Sequence, residues 1–282
     1  MLSTVVLAAG CGFLKNNNEP TPPPNPTSPN IVSYTAVGAS DAIGYGGSLP
    51  CIPFTDCPNG TGYVQTVARR FSVEGKTVTL LNLGVPGSVL GPSVEAIGNG
   101  LGRGIPGNFI EGELPFVSAN ATLVTVFAGG NDGNTIGAAI KAGLAGSDQN
   151  AYIQAQSTTF GSDMKKLVTG VKTKAPNARI VILNLPNLAG MPYAAGLSLT
   201  EKRVLQQIAV GFSAAINGTQ AQGALVLDLM CDPGFYNPGI FSSDGFHPND
   251  LGYARIADLV YNAAKSGTVT APKTSCAQMT LF

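Results

Sequence analysis

Five short runs of aliphatic residues recur along the chain: Ile31–Val37, Val78–Leu83, Leu123–Phe127, Arg179–Leu185 and Ala224–Leu229. Each is apolar almost throughout and does not alternate with polar positions, the pattern of strands whose sheet is covered by helices on both faces. Between the fourth and fifth runs the period changes. Val204, Leu205, Ile208, Phe212, Ala215 and Ile216 recur at helical spacing, Ser198 and Glu201 form a capping-box signature ahead of them, and Gly218 follows as a stop. A further helix is predicted from about Asn249 to Lys265, with Leu251, Ile256, Val260 and Tyr261 on its apolar side. Strands alternating with helices predict an α/β fold with a parallel sheet wound in layers. The alternation fills nearly everything after residue 30, which predicts one domain over residues 31–282.

The pattern before residue 31 is different. Met1 to Gly10 is apolar and ends Leu-Ala-Ala-Gly before Cys11. Ten residues are too few to span a bilayer, which takes about twenty. Small residues directly before a cysteine resemble a bacterial lipoprotein signal, in which that cysteine becomes the lipidated first residue. Ala8 stands where leucine is commoner, and no Lys or Arg precedes the run. Residues 12–30 then carry three successive asparagines and six prolines from Pro20 to Pro29, a composition of extended polyproline linkers. The expected arrangement is a signal over 1–11, a linker over 12–30 and a folded domain beyond. It implies an exported protein, either secreted or attached peripherally to a membrane of the cell envelope through lipidated Cys11.

Cysteine usage agrees. Cys51, Cys57, Cys231 and Cys276 remain once Cys11 is set aside, and four cysteines allow three pairings. Cys51–Cys57 and Cys231–Cys276 are favoured, the first closing a Pro/Gly-rich loop and the second pinning the tail. By loop-closure entropy they contribute roughly 2 and 4 kcal/mol. Zinc ligation by these cysteines is the rival reading, and the chain has no CxxC spacing and a single histidine to offer it.

Composition narrows the chemistry. Charged residues are 11% of the chain, with 16 basic and 16 acidic side chains in balance. No long-range field gathers polyanions, which argues against nucleic acid as a partner. With 44% hydrophobic residues a sizeable core can form. One histidine excludes multi-histidine metal sites, and no metal or other cofactor is expected.

In open α/β sheets, ligands collect at the carboxyl ends of the strands. Gly38-Ala39-Ser40-Asp41 follows the first predicted strand, Gly84 the second and Gly129-Gly130-Asn131-Asp132 the third, while Asp244-Gly245-Phe246-His247-Pro248 follows the fifth across a loop. A hydroxyl, a backbone amide, a side-chain amide and an Asp/His pair are the parts of nucleophilic acyl transfer. Ser40 needs a base to take its proton, and His247 is the only histidine. Asp244, three residues earlier, can orient the imidazole; Asp132 is an alternative acid partner whose block better fits a structural role. The Ser40 amide, the Gly84 amide and the Asn131 side-chain NH₂ are candidate donors to an oxyanion.

These four ordered blocks resemble those of the SGNH (GDSL-type) hydrolases over about residues 31–265, and His247-Pro248-Asn249 with Gly252-Tyr253 resembles that family's last block. One departure is plain: the family usually reads Gly-Asp-Ser, and here Ala39 takes the aspartate's place. The resemblance implies a three-layer α/β/α sandwich around five parallel strands, and metal-free hydrolysis of carboxylic esters carried on small molecules, glycans or lipids. Two other readings use the same fold: a surface protein that binds carbohydrate or lipid without turnover, and an acyltransferase to a glycan.

Other motifs are weaker. No G-x-S-x-G elbow occurs. Gly102 to Gly107 fits G-x-G-x-x-G but follows no predicted strand, and Pro106 removes an amide from any phosphate cradle. Arg69-Arg70 and Lys165-Lys166 read as solvated helix faces. Phe235, Tyr236, Phe241 and Phe246 cluster around the Asp/His loop, either lining an acyl pocket or packing the core.

Overall fold

The computed structural model describes residues 30–282. Cys11, the signal expected over 1–11 and the linker expected over 12–30, except its last residue, lie outside the described residues. Five parallel strands, β1 (Ile31–Gly38), β2 (Thr77–Asn82), β3 (Leu123–Phe127), β4 (Arg179–Leu183) and β5 (Leu225–Leu227), pair in the order β2-β1-β3-β4-β5. Six α-helices connect them: α1 (Tyr63–Val73), α2 (Pro92–Gly100), α3 (Gly130–Lys141), α4 (Gln149–Lys174), α5 (Leu199–Asn217) and α6 (Asp250–Ser266). Helix α1 packs against α6, whereas α3 packs against α2 and α5, and α4 against α5. The result is an α/β/α sandwich.

The central strands are apolar because both their faces are covered. Every residue of β3 is buried, as are the last four of β4 and the last five of β1. On α5, Ile208, Phe212 and Ile216 are fully buried, and the Phe212 ring stacks on Phe160 of α4 at 4.0 Å between centroids. Edge strand β2 departs from the expected pattern: its burial alternates, with Thr77, Thr79 and Leu81 exposed. Helix α1 packs on one of its faces, and the alternation shows that the other face is open to solvent, where positions are free to be polar.

Three expected ends move by two residues or more. The fourth and fifth strands end earlier than the apolar runs, at Leu183 and Leu227, because Asn184 takes over the hydrogen bonding: its Oδ1 accepts the Leu229 and Met230 N–H groups at 2.6 and 2.9 Å. Helix α5 begins with the expected capping box of Ser198 and Glu201. Gly218, however, stays right-handed, and the chain continues as a 3₁₀ turn to Gln222; the left-handed stop is Gly223, at φ 82°. Arg69 is no mere solvated cation either, since its guanidinium donates to Pro58 O, Gly60 O and Thr66 Oγ1 and so ties α1 to the preceding loop.

Cys51 is bonded to Cys57, and Cys231 to Cys276. Residues 102–107 form a loop with no strand before it. In this strand order the chain leaves β1 toward one side and returns at β3 on the other. The crevice at that reversal, outside the carboxyl ends of β1 and β3, is where such sheets bind ligands.

Candidate active site

Strand β1 delivers Ser40 to the crevice through a tight turn. Ala42 N–H donates to Ala39 O at 3.1 Å and Tyr45 N–H to Ser40 O at 3.0 Å, which fixes the backbone on either side of a serine only 6% exposed. Behind the turn, Gly38 N–H donates to Oε2 of Glu113 at 2.9 Å. Burial pushes the Glu113 carboxyl up to about 9, so it stands neutral beneath the serine turn.

The segment before α6 brings the histidine to the serine. Ser40 Oγ lies 2.8 Å from His247 Nε2, and His247 Nδ1 lies 2.6 Å from Asp244 Oδ2. An ionised carboxylate only accepts, so Nδ1 carries the proton and Nε2 is left to accept from the Ser40 hydroxyl. Asp244 is held as the acceptor. Its partial burial opposes ionisation, but the His247 ring, the His247 and Phe246 N–H groups and the Ser242 hydroxyl all donate to it, and its pKa falls to about 2.

Local sequence explains this loop. Asn249 caps α6 by accepting from Leu251 and Gly252 N–H, while its Nδ2 donates to Gly239 O and Phe241 O. Gly252 is required by contact, since a Cβ there would lie 2.3 Å from Ile240 O. Tyr253 reaches back to donate to Tyr45 O at 2.5 Å, and the Tyr45 ring meets the His247 ring edge-on at 4.7 Å. The imidazole is thus flanked by Tyr45 and by Phe246, whose centroid is 5.0 Å away. Half-buried Asp41, next to the serine, is also within electrostatic reach of His247; desolvation raises its pKa.

The expected oxyanion donors stand differently. Asn131 lies in the first turn of α3, where Nδ2 donates to Ser88 O at 2.9 Å and keeps a second hydrogen. Gly84 follows β2, and its N–H donates to Asn82 Oδ1 at 3.1 Å. A Cβ at residue 84 would lie 2.7 Å from Ala42 Cβ, so close packing against the serine turn demands glycine here. Asp132 does not reach the histidine. It is 1% exposed, its Oδ1 accepts Leu90 N–H at 2.9 Å, its Oδ2 has no partner, and burial raises its pKa to about 7.

Beside the serine turn is a small cavity of about 30 Å³, lined among others by Ala39, Ser88, Gly130, Asn131, Phe235 and Phe246. The aromatic cluster therefore divides. Phe235 and Phe246 face the cavity, Phe241 is buried edge-on against Phe235, and the Tyr236 hydroxyl is spent on Met230 O and Asn187 N–H. Tyr45, Glu113 and Asn82 were not legible in the sequence, because nothing in their local spacing distinguishes them from packing residues. Among the described residues, no group of three or more His, Cys, Asp or Glu side chains is placed to hold a metal ion.

Residues 33–255 match the model of the GDSL-like lipase/acylhydrolase family. Among solved structures, a lipase from a goat rumen metagenome is similar at 18% identity and a TM-score of 0.56, covering 86% of this chain and 100% of its own. An extracellular lipase from Streptomyces rimosus is similar at 18% identity and a TM-score of 0.51, with 83% and 99% covered. An acetyl xylan esterase from Geobacillus stearothermophilus is similar at 13% identity and a TM-score of 0.51, with 85% and 96% covered. Identities this low speak to the fold alone. No curated protein matches the sequence significantly.

Proposed function

The chain belongs to the GDSL-like lipase/acylhydrolase family and is an ester hydrolase, and from that premise we propose that it works through an acyl-enzyme on Ser40. The observation that carries this reading is the unbroken path from Ser40 Oγ to His247 Nε2 and from Nδ1 to Asp244. As Oγ attacks the ester carbonyl, its proton passes to Nε2. Asp244 stabilises the imidazolium without taking the proton. The carbonyl oxygen becomes an oxyanion that accepts from the Ser40 and Gly84 amides and from the second N–H of Asn131. At Gly84 the oxyanion exchanges for the bond now made to Asn82. Collapse breaks the bond to the alcohol oxygen, which receives the proton from Nε2. Water then repeats the sequence on the acyl group, giving its proton to His247 and releasing the acid.

Replacing Ser40 with Ala abolishes turnover of p-nitrophenyl esters while the fold is retained, and His247→Ala lowers the rate by several powers of ten. Full activity in the folded Ser40→Ala protein would overturn the reading.

The setting is inferred as well. Two disulfides suit an oxidising, extracytoplasmic compartment. Among the described residues no helix is long and apolar enough to cross a membrane. Attachment runs through lipidated Cys11 and a linker over 12–30 to the domain over 31–282. Labelling with a radioactive fatty acid tests this: Cys11→Ser abolishes incorporation if Cys11 is the anchor.

A further inference from the structure

The cavity beside Ser40 and an apolar groove run along the same helix, and one pair of rings stands between them. The cavity, about 30 Å³, is bounded by the first turn of α3 at Gly130 and Asn131. The groove, about 390 Å³, follows the next turns of α3, with Asn134, Gly137 and Ala138 on one side and Leu197 and Leu205 on the other. Phe246 lines the first and Tyr193 the second, and their rings meet edge to face at 5.0 Å.

This wall is braced on every side. The Tyr193 hydroxyl donates to Asn134 Oδ1 at 3.1 Å, and its N–H donates to Gly245 O at 3.1 Å. Gly130 leaves the Phe246 ring its place, since a Cβ there would lie 3.0 Å from Cζ. Phe246 also abuts the His247 ring.

An ester presents two ends to such a site. The alcohol oxygen must face His247 Nε2, which protonates it. The cavity is lined by Asn131, a candidate donor to the carbonyl oxygen, and by Ala39 and Asp41 on either side of the serine, but not by His247, so it receives the acyl substituent. A space of about 30 Å³ holds on the order of two water-sized groups. That matches the size of an acetyl group, and a longer chain needs more space than this.

Resting on the serine-hydrolase reading above, we propose that this enzyme takes acetyl esters and that Phe246, braced by Tyr193, sets the acyl-length limit by closing the cavity from the groove. The groove beyond these two rings has room for a longer chain.

The test is kcat/KM on p-nitrophenyl acetate, butyrate, hexanoate and octanoate, with the alcohol held constant. One methylene too many in a closed pocket changes the rate by about 10- to 200-fold, so the native protein falls at least about tenfold from acetate to butyrate. Phe246→Ala raises the hexanoate-to-acetate ratio by about 10- to 100-fold. Tyr193→Ala opens the same wall from the groove side and moves the ratio in the same direction by less. Taking a ratio removes any common effect on His247. A native preference for long acyl chains, or ratios unchanged in both folded variants, would overturn the proposal. Ser40→Ala run alongside separates the two levels: turnover that survives it defeats the serine-hydrolase reading itself, whereas Ser40-dependent turnover with a flat acyl profile defeats only the length limit.

Discussion

Two aspartates flank the crevice and have opposite fates. Asp244 reaches solvent, accepts from four groups and is ionised down to about pH 2. Asp132 is buried in the first turn of α3, accepts the Leu90 N–H, leaves one oxygen without a partner, and holds its proton to about pH 7. Both belong to blocks that the sequence marks as chemical, and both follow a strand. The difference lies in the supply of donors against the cost of desolvation. A carboxylate that must steady an imidazolium needs its charge, and the Asp244 loop provides for it. Asp132 fastens α3 to the Leu90 backbone and needs none.

The sharpest way to break this contrast is to remove the charge from each in turn. Asp244→Asn puts an amide where Nδ1–H needs an acceptor and disturbs the histidine tautomer. The expected loss in kcat is about 10,000-fold, by analogy with the same change in serine proteases. Asp132→Asn keeps an acceptor for Leu90 and leaves kcat within about tenfold. Equal losses in stopped-flow assays of the two variants would erase the functional distinction between them.

Next in size is Asn131, the neighbour of Asp132 that faces the crevice. Asn131→Ala lowers kcat by about 100- to 1,000-fold, the effect of losing one oxyanion donor, with little change in KM. A change confined to KM would instead mark Asn131 as a binding residue.

The stability profile against pH gives a smaller effect with opposite signs at the two aspartates. Folding raises the Asp132 pKa from 3.8 to about 7, so between those values the folded chain keeps a proton that the unfolded chain has released. That contribution therefore falls as pH rises from about 4 to about 7 and then levels off. Asp244 runs the other way: its lowered pKa gives stability that is present above about pH 4 and lost as pH falls toward about 2. Asp132→Asn should flatten the upper part of the profile and raise Tm by a few degrees at pH 8 relative to pH 5. An unchanged slope in thermal melts would mean that Asp132 is not the neutral acid described.

Smallest is the effect of Asp163, whose like charge adds to the Asp132 shift after burial and the opposing hydrogen bonds. Asp163→Asn should lower the pH at which the profile levels without removing the slope.

Much of the fold was legible because the five apolar runs carry it directly: β3 lies at Leu123–Phe127 as the pattern predicts, and β1 extends only one residue further, to Gly38. The ends were legible only where a local motif fixes them. Ser198 and Glu201 mark the start of α5 unaided, whereas β5 ends at Leu227 because Asn184, forty-three residues earlier in the chain, takes the next amides. The site divides in the same way. Asp244 and His247 are close in sequence and their pairing could be read there. That Gly84 bonds Asn82 is a local contact with no sequence signature, and that the Phe246 ring meets Tyr193 depends on a contact between distant segments that no spacing records.

The central claim is that Ser40 carries the acyl group. The direct test is rapid quench of the protein with p-nitrophenyl acetate at low pH, followed by mass spectrometry of the peptides. One acetyl group should be found on the peptide holding Ser40, together with a burst of p-nitrophenol equal to the enzyme concentration when deacylation is the slower step. Acetyl on another residue, with turnover intact in Ser40→Ala, would contradict the account.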